Sequence, residues 1–155
     1  MNTRPSVLFV CLGNICRSPL AEAAFRKEAE DAGLDVEIDS AGTGHWHAGK
    51  PPDPRAQAIA LANGIDISHY RARQLEAADF ARFSHIFAMD YDNLATIQAR
   101  APKGATAEIA LLLDWVPGRE GAAVADPYYG GEEHFEDTWA DMTAAAQALV
   151  ARFRA

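Results

Sequence analysis

The sequence predicts an α/β fold: a single layer of four parallel strands, doubly wound, with helices on both faces. Three observations predict it. The run Val7-Leu8-Phe9-Val10 is solidly apolar and β-favouring, as a strand covered on both faces requires. Strand-like and helix-like segments then alternate to the end of the chain. Ser18-Pro19 and Asp53-Pro54 each place a capping side chain before a proline, which marks a helix start.

Taken in order, the first strand runs into a six-residue turn, Leu12 to Arg17, and Ser18 is expected to cap an alanine-rich helix. Ala21, Phe25, Ala29 and Ala32 recur at helical spacing, and Gly33 supplies a C-terminal stop. Val36, Ile38 and Ser40 alternate with acidic residues, which suits an edge strand with one wet face. Residues 41–54 are rich in Gly and Pro, contain His45-Trp46-His47, and read as a long loop. Asp53-Pro54 opens a helix through Ala62 that stops near Gly64. A short helix follows over Glu76 to Phe83, then a strand over His85 to Met89. A helix from Asp90 to Ala101 is ended by Pro102, and Glu108 to Leu113 is the fourth strand. After a glycine-rich loop from Asp114 to Gly131, Phe135, Trp139, Met142, Ala146, Leu149 and Phe153 form one apolar face of a closing helix.

At 155 residues the chain is expected to be one domain, residues 1–155. Its net charge of -8 argues against a nucleic-acid binder or a polybasic membrane-surface protein. Any affinity for an anion must therefore be built locally. No apolar run approaches the about 18 residues of a membrane span, and the first residues lack a secretory pattern. A cytoplasmic location is expected. Both cysteines, Cys11 and Cys16, lie in or beside the first turn, so no disulfide framework is expected. The five histidines are scattered, and neither a metal site nor a cofactor is expected.

The turn after the first strand carries the chemistry. A loop feeding a helix N-terminus aims unpaired backbone N–H groups and the positive end of the helix dipole at one spot. Cys11 at its entrance is in the environment that turns a thiol into a nucleophilic thiolate. Arg17 at its exit offers a planar fork for two phosphate oxygens. Gly13 and Asn14 tolerate the left-handed backbone such a cradle needs.

The wording V-L-F-V-C-L-G-N-I-C-R-S-P resembles the signature of the low-molecular-weight protein tyrosine phosphatases, at the place in the chain where that family carries it. The resemblance implies a four-stranded, flavodoxin-like sheet and hydrolysis of protein phosphotyrosine. It implies Cys11 as nucleophile, Arg17 as phosphate clamp and residues 12–18 (Leu12, Gly13, Asn14, Ile15, Cys16, Arg17, Ser18) as the phosphate-binding loop. Ser18 would donate to the thiolate, and Asn14, Ser40 and His69 would hold the loop's shape. Asp126, in Asp-Pro-Tyr-Tyr-Gly, matches the family's general acid; on loop composition alone it reads as an ordinary turn aspartate. Leu12, Trp46, Tyr128 and Tyr129 would wall the substrate cleft, although Trp46 alone could equally anchor its loop in the core. The tyrosine pair also resembles positions phosphorylated in relatives. Cys16 has a family precedent as partner in a reversible disulfide; it reads equally well as a small buried hydrophobe.

Expected partners are phosphotyrosine proteins, with inorganic phosphate or another oxyanion as product or inhibitor, and a monomer or weak homodimer is expected. Arsenate reductases share the scaffold but need later cysteines, which are missing after Cys16. Arginine phosphatases carry threonine at the position of Ile15. A phosphopeptide-binding module without turnover would keep the cradle and lose nucleophile or acid, whereas Cys11, Arg17 and Asp126 are all present.

Overall fold

A computed structural model describes residues 4–155, so the reading of the chain's first residues as free of a leader falls partly outside the described residues. Strands β1 (Ser6–Cys11), β2 (Glu37–Gly42), β3 (His85–Ala88) and β4 (Glu108–Leu111) form one sheet in the order β2-β1-β3-β4. Every pairing is parallel. Between them run α1 (Arg17–Ala32), α2 (Pro54–Ala62), the single turn α3 (Asp79–Arg82) and α4 (Tyr91–Arg100), and α5 (Glu132–Arg154) closes the fold.

The apolar run of β1 explains its central place. Val7 and Phe9 face α1, α2 and α5 in a core with Phe25, Met142 and Leu149. Leu8 and Val10 point the other way, into a second core with Phe80, Phe83 and Ile97. Alternate residues of one strand thus fill two layers, which only a strand buried on both faces can do. β2 and β4 are the sheet edges. The apolar stripe of α5 meets the sheet as its spacing predicts, with Phe135, Met142, Ala146 and Leu149 buried.

Helix boundaries follow local chemistry. Asp53 caps α2 by accepting from Arg55 N at 2.8 Å, with Pro54 at the first helical position. Gly33 closes α1 in the left-handed region at φ 68°.

Two expectations are corrected. The fourth strand ends at Leu111, and Leu112–Trp115 turn into a single 3-10 turn. That turn buries Leu112 and Leu113, the apolar pair that extended the strand pattern in sequence. Ser18 does not cap α1. The helix already includes Arg17, and Cys16 stands at its N-cap with no side-chain cap bond. The Ser18 hydroxyl is instead turned inward, to Cys11.

Candidate active site

All four strands deliver their C-terminal ends to one edge of the sheet, and the loops leaving that edge build the site. Cys11 is the last residue of β1 and Arg17 the first of α1, so strand and helix fix the two ends of the intervening loop. Asn14 holds the bend at φ 58°, the one positive φ outside glycine among the described residues. An asparagine tolerates that region, and here its side chain is used in full.

Asn14 Nδ2 donates to Ser18 Oγ at 2.7 Å and to Ser40 Oγ at 3.0 Å. Asn14 Oδ1 accepts from Arg73 N at 3.0 Å, and Asn14 N points at Cys11 Sγ from 3.3 Å. Ser18 Oγ lies 3.0 Å from Cys11 Sγ. That oxygen accepts from Asn14, and its single proton has two acceptors in reach, Cys11 Sγ at 3.0 Å and Ala41 O at 3.5 Å, of which the sulfur is the nearer. Donors converge on Cys11 as an attacking thiolate requires.

Arg17 is 3 % exposed, and its Nη1 donates to Asp90 Oδ2 at 2.7 Å and to Val124 O at 3.0 Å. Its Nη2 faces Asp126 Oδ2 at 3.6 Å. Burial works against the guanidinium charge; Cys11, Asp90 and Asp126 outweigh it and hold Arg17 protonated. Asp126 Oδ1 accepts from Tyr128 N at 3.1 Å, a local turn that leaves Oδ2 aimed at Arg17.

A cavity of about 290 Å³ opens over the loop, lined by Cys11, Gly13, Ile15, Cys16 and Arg17 at its floor and by Leu12, Trp46, His47, Asp126, Tyr128 and Tyr129 at its walls. Leu12, Trp46, Tyr128 and Tyr129 are exposed at its rim, Tyr129 at 93 %. Trp46 therefore does not anchor its loop in the core. Cys16 is buried, and desolvation, reinforced by Asp53 and Cys11, pushes its thiol far up, so it stays protonated. Among the described residues, no group of three or more His, Cys, Asp or Glu side chains is placed to share a metal ion.

The expected support by His69 is corrected. His69 is exposed and packs edge-on against Tyr70, with ring centroids 5.0 Å apart. The residue turned inward is Tyr70, which lines a cavity of about 130 Å³ behind the loop with Asn14, Ser40 and Glu22. The chain bends at Ser68, whose N–H is tied to Asp66 Oδ1 at 2.9 Å, and that bend throws His69 outward. Ser40 is braced by Glu22, whose Oε1 accepts from its hydroxyl at 2.7 Å.

Glu22, Arg73 and Asp90 were not visible as site residues in the sequence. Asp90 carried one signal: a capping aspartate directly after a strand, at the edge where the other strands end. It caps α4, accepting from Asn93 N at 2.8 Å, while its second oxygen holds Arg17.

A loop that seats an anion against a sulfur nucleophile, at the carboxyl edge of a doubly wound sheet, carries the chemistry of a cysteine-dependent phosphatase. Comparison with known proteins narrows that class. The model of the low molecular weight phosphotyrosine protein phosphatases matches residues 6–155, and the chain belongs to that family. It is 46% identical over 153 residues to the low molecular weight phosphotyrosine protein phosphatase of Schizosaccharomyces pombe, covering 97% of each chain. The crystal structure of YfkJ from Bacillus subtilis superposes with a TM-score of 0.90 at 41% identity, covering 99% of this chain and 96% of that one. The crystal structure of a Drosophila arginine phosphatase also reaches a TM-score of 0.90, at 31% identity over 96% of this chain and 98% of that one.

Proposed function

We propose that this chain hydrolyses protein phosphotyrosine through a phosphocysteine intermediate. The observation that carries the reading is the convergence of Ser18 Oγ and Asn14 N on Cys11 Sγ, in one cavity with Arg17 and Asp126. Cys11 attacks phosphorus; an S–P bond forms as the bond to the phenolic oxygen breaks. Asp126 gives its proton to that oxygen, whose conjugate acid has a pKa of about 10 and leaves poorly as the anion. Water then attacks the phosphocysteine, Asp126 takes its proton, and the S–P bond breaks to return thiolate and phosphate. Arg17 and the loop N–H groups hold the equatorial oxygens through both steps.

Leu12, Trp46, Tyr128 and Tyr129 give the cavity a rim of apolar and aromatic surface suited to a phenyl ring. The arginine phosphatase among the structural neighbours supplies the second reading; the apolar Ile15 at the cavity floor favours the first. Hydrolysis of phosphotyrosine, phosphoserine and phosphoarginine peptides, each with chelator present, separates them. Phosphotyrosine is expected to be turned over fastest, and Cys11→Ser to lose at least about a thousandfold. Preference for phosphoarginine would shift the assignment to the second reading. Binding of phosphopeptide without release of phosphate would make the chain a binding module.

Cys16 is the proposed redox partner of Cys11. The reading is supported by the two free cysteines sharing one loop: on losing its proton, Cys16 would attack a sulfenic acid at Cys11, forming the S–S bond and releasing water before further oxidation. Peroxide inactivation is expected to reverse with dithiothreitol in the native chain and to become permanent in Cys16→Ala. Equal recovery in both removes the role.

A further inference from the structure

The stretch Asp53-Pro54-Arg55, which sequence explains only as a helix start, joins the two loops on which the chemistry depends. Asp53 N donates to Ile15 O at 2.9 Å, within the phosphate-binding loop. The Asp53 carboxylate grips Arg55 in a fork, with Nε to Oδ1 and Nη2 to Oδ2 both at 3.0 Å. The same guanidinium then reaches the other loop. Nη2 donates to Tyr128 O at 2.9 Å and Nη1 to Gly130 O at 3.0 Å. Its plane is seated against Phe135, 4.6 Å from the ring centroid.

The loop that Arg55 holds is pinned upstream at Val124, whose N donates to Met89 O at 2.8 Å and whose O accepts from Arg17, and at the buried Pro127; beyond Pro127, Arg55 supplies its bonds to the rest of the fold. It ends in two glycines, and Tyr129 is 93 % exposed. Tyr128, whose carbonyl Arg55 binds, is also the residue whose N–H orients Asp126 Oδ1 at 3.1 Å. A continuous path therefore runs from the backbone of the nucleophile's loop to the carboxyl group facing it. We infer that Arg55 is a positioning residue for the general acid: it sets the height of Asp126 over Cys11 without touching substrate. Lysine cannot replace it, because one ammonium cannot hold a carboxylate edge-on and span two carbonyls at once.

The inference rests on Asp126 as the acid, and the experiment tests the two apart. A displaced acid harms esters with poor leaving groups and spares those with good ones; a damaged cradle harms both equally. The readout is kcat/KM, which covers the steps through P–O cleavage, for phenyl phosphate and for 4-nitrophenyl phosphate. Asp126→Asn alone tests the acid and is expected to lose far more on phenyl phosphate. Arg55→Met is expected to lose at least about tenfold more on phenyl phosphate than on 4-nitrophenyl phosphate. Arg55→Lys, the milder change, is expected to shift the same ratio in the same direction. In an Asp126→Asn background, Arg55→Met should add less than about twofold on either substrate, as expected when two residues act through one group. Equal losses on both esters, an unchanged ratio in both Arg55 variants, or full additivity with Asp126→Asn would overturn the inference.

Discussion

Single side chains in this site serve two structures at once. Asp90 divides its oxygens between the α4 N-terminus and the Arg17 guanidinium, so the helix that begins after β3 and the phosphate clamp share one anchor. Asn14 takes a left-handed backbone and pays no penalty in unmet hydrogen bonds, since its amide reaches Ser18, Ser40 and Arg73 N. Arg73 is itself fixed by Asp79, with bonds of 3.0 Å from Nη1 and Nη2, and by Asp39. Glu22 sits beneath this group. Burial raises its carboxyl above the ordinary range, opposed by hydrogen bonds from Ser40 and Arg26. The folded chain therefore keeps a proton that the unfolded chain has lost. Stability falls as pH rises from about 4.5 through the raised value, and levels off above it. Glu22→Gln keeps an acceptor for Ser40, gives up the one for Arg26 Nη2, and has no proton to lose. Its melting temperature, taken relative to the native chain at the same pH, is expected to rise from acid to neutral pH. A difference that falls over that range would contradict the account.

At the scale of elements, the pair β1–α1 does most to place the site. Phe9, 1 % exposed, packs edge-on to Phe25 of α1 at 5.9 Å and stacks near Phe87 of β3 at 6.1 Å. Strand, helix and neighbouring strand are locked by one ring, two residues before the nucleophile. Phe9→Ala is expected to cost about 3–5 kcal/mol, read from the denaturant midpoint with an unchanged slope. A loss under about 1 kcal/mol would mean the core refills around the gap. These elements were legible in sequence because their signals are local: apolar runs, capping residues and prolines within a few positions of each other. The Cys11–Arg17 loop was legible for the same reason. Asp126 became a candidate acid only through resemblance, since a loop aspartate has no local mark of what it faces. Asp90, Glu22, Arg73 and Arg55 were missed as site residues because their partners are remote. Arg17 and Asp90 are 73 positions apart, and Arg55 and Gly130 are 75 apart. Two readings failed differently: Ser18 was read as a helix cap from its residue type and its hydroxyl turns inward to Cys11 instead, whereas the supporting role of His69 rested on resemblance and its side chain is exposed.

Over the whole molecule, a net charge of -8 repels the anions that the site must collect. The cradle answers this field at close range, where it is strongest, with Arg17 buried and charged among oriented amides. The parallel sheet adds a second global property. β1 begins at Ser6 and ends at Cys11, so the chain enters at the edge opposite the mouth of the cavity. α5 starts beside the acid loop and runs back the other way, bringing Phe153 within 5.1 Å of His85 at the beginning of β3. Both described ends of the polypeptide thus hang from the base of the molecule. A fluorophore, a purification handle or a surface attached at either end would leave the mouth facing open solution.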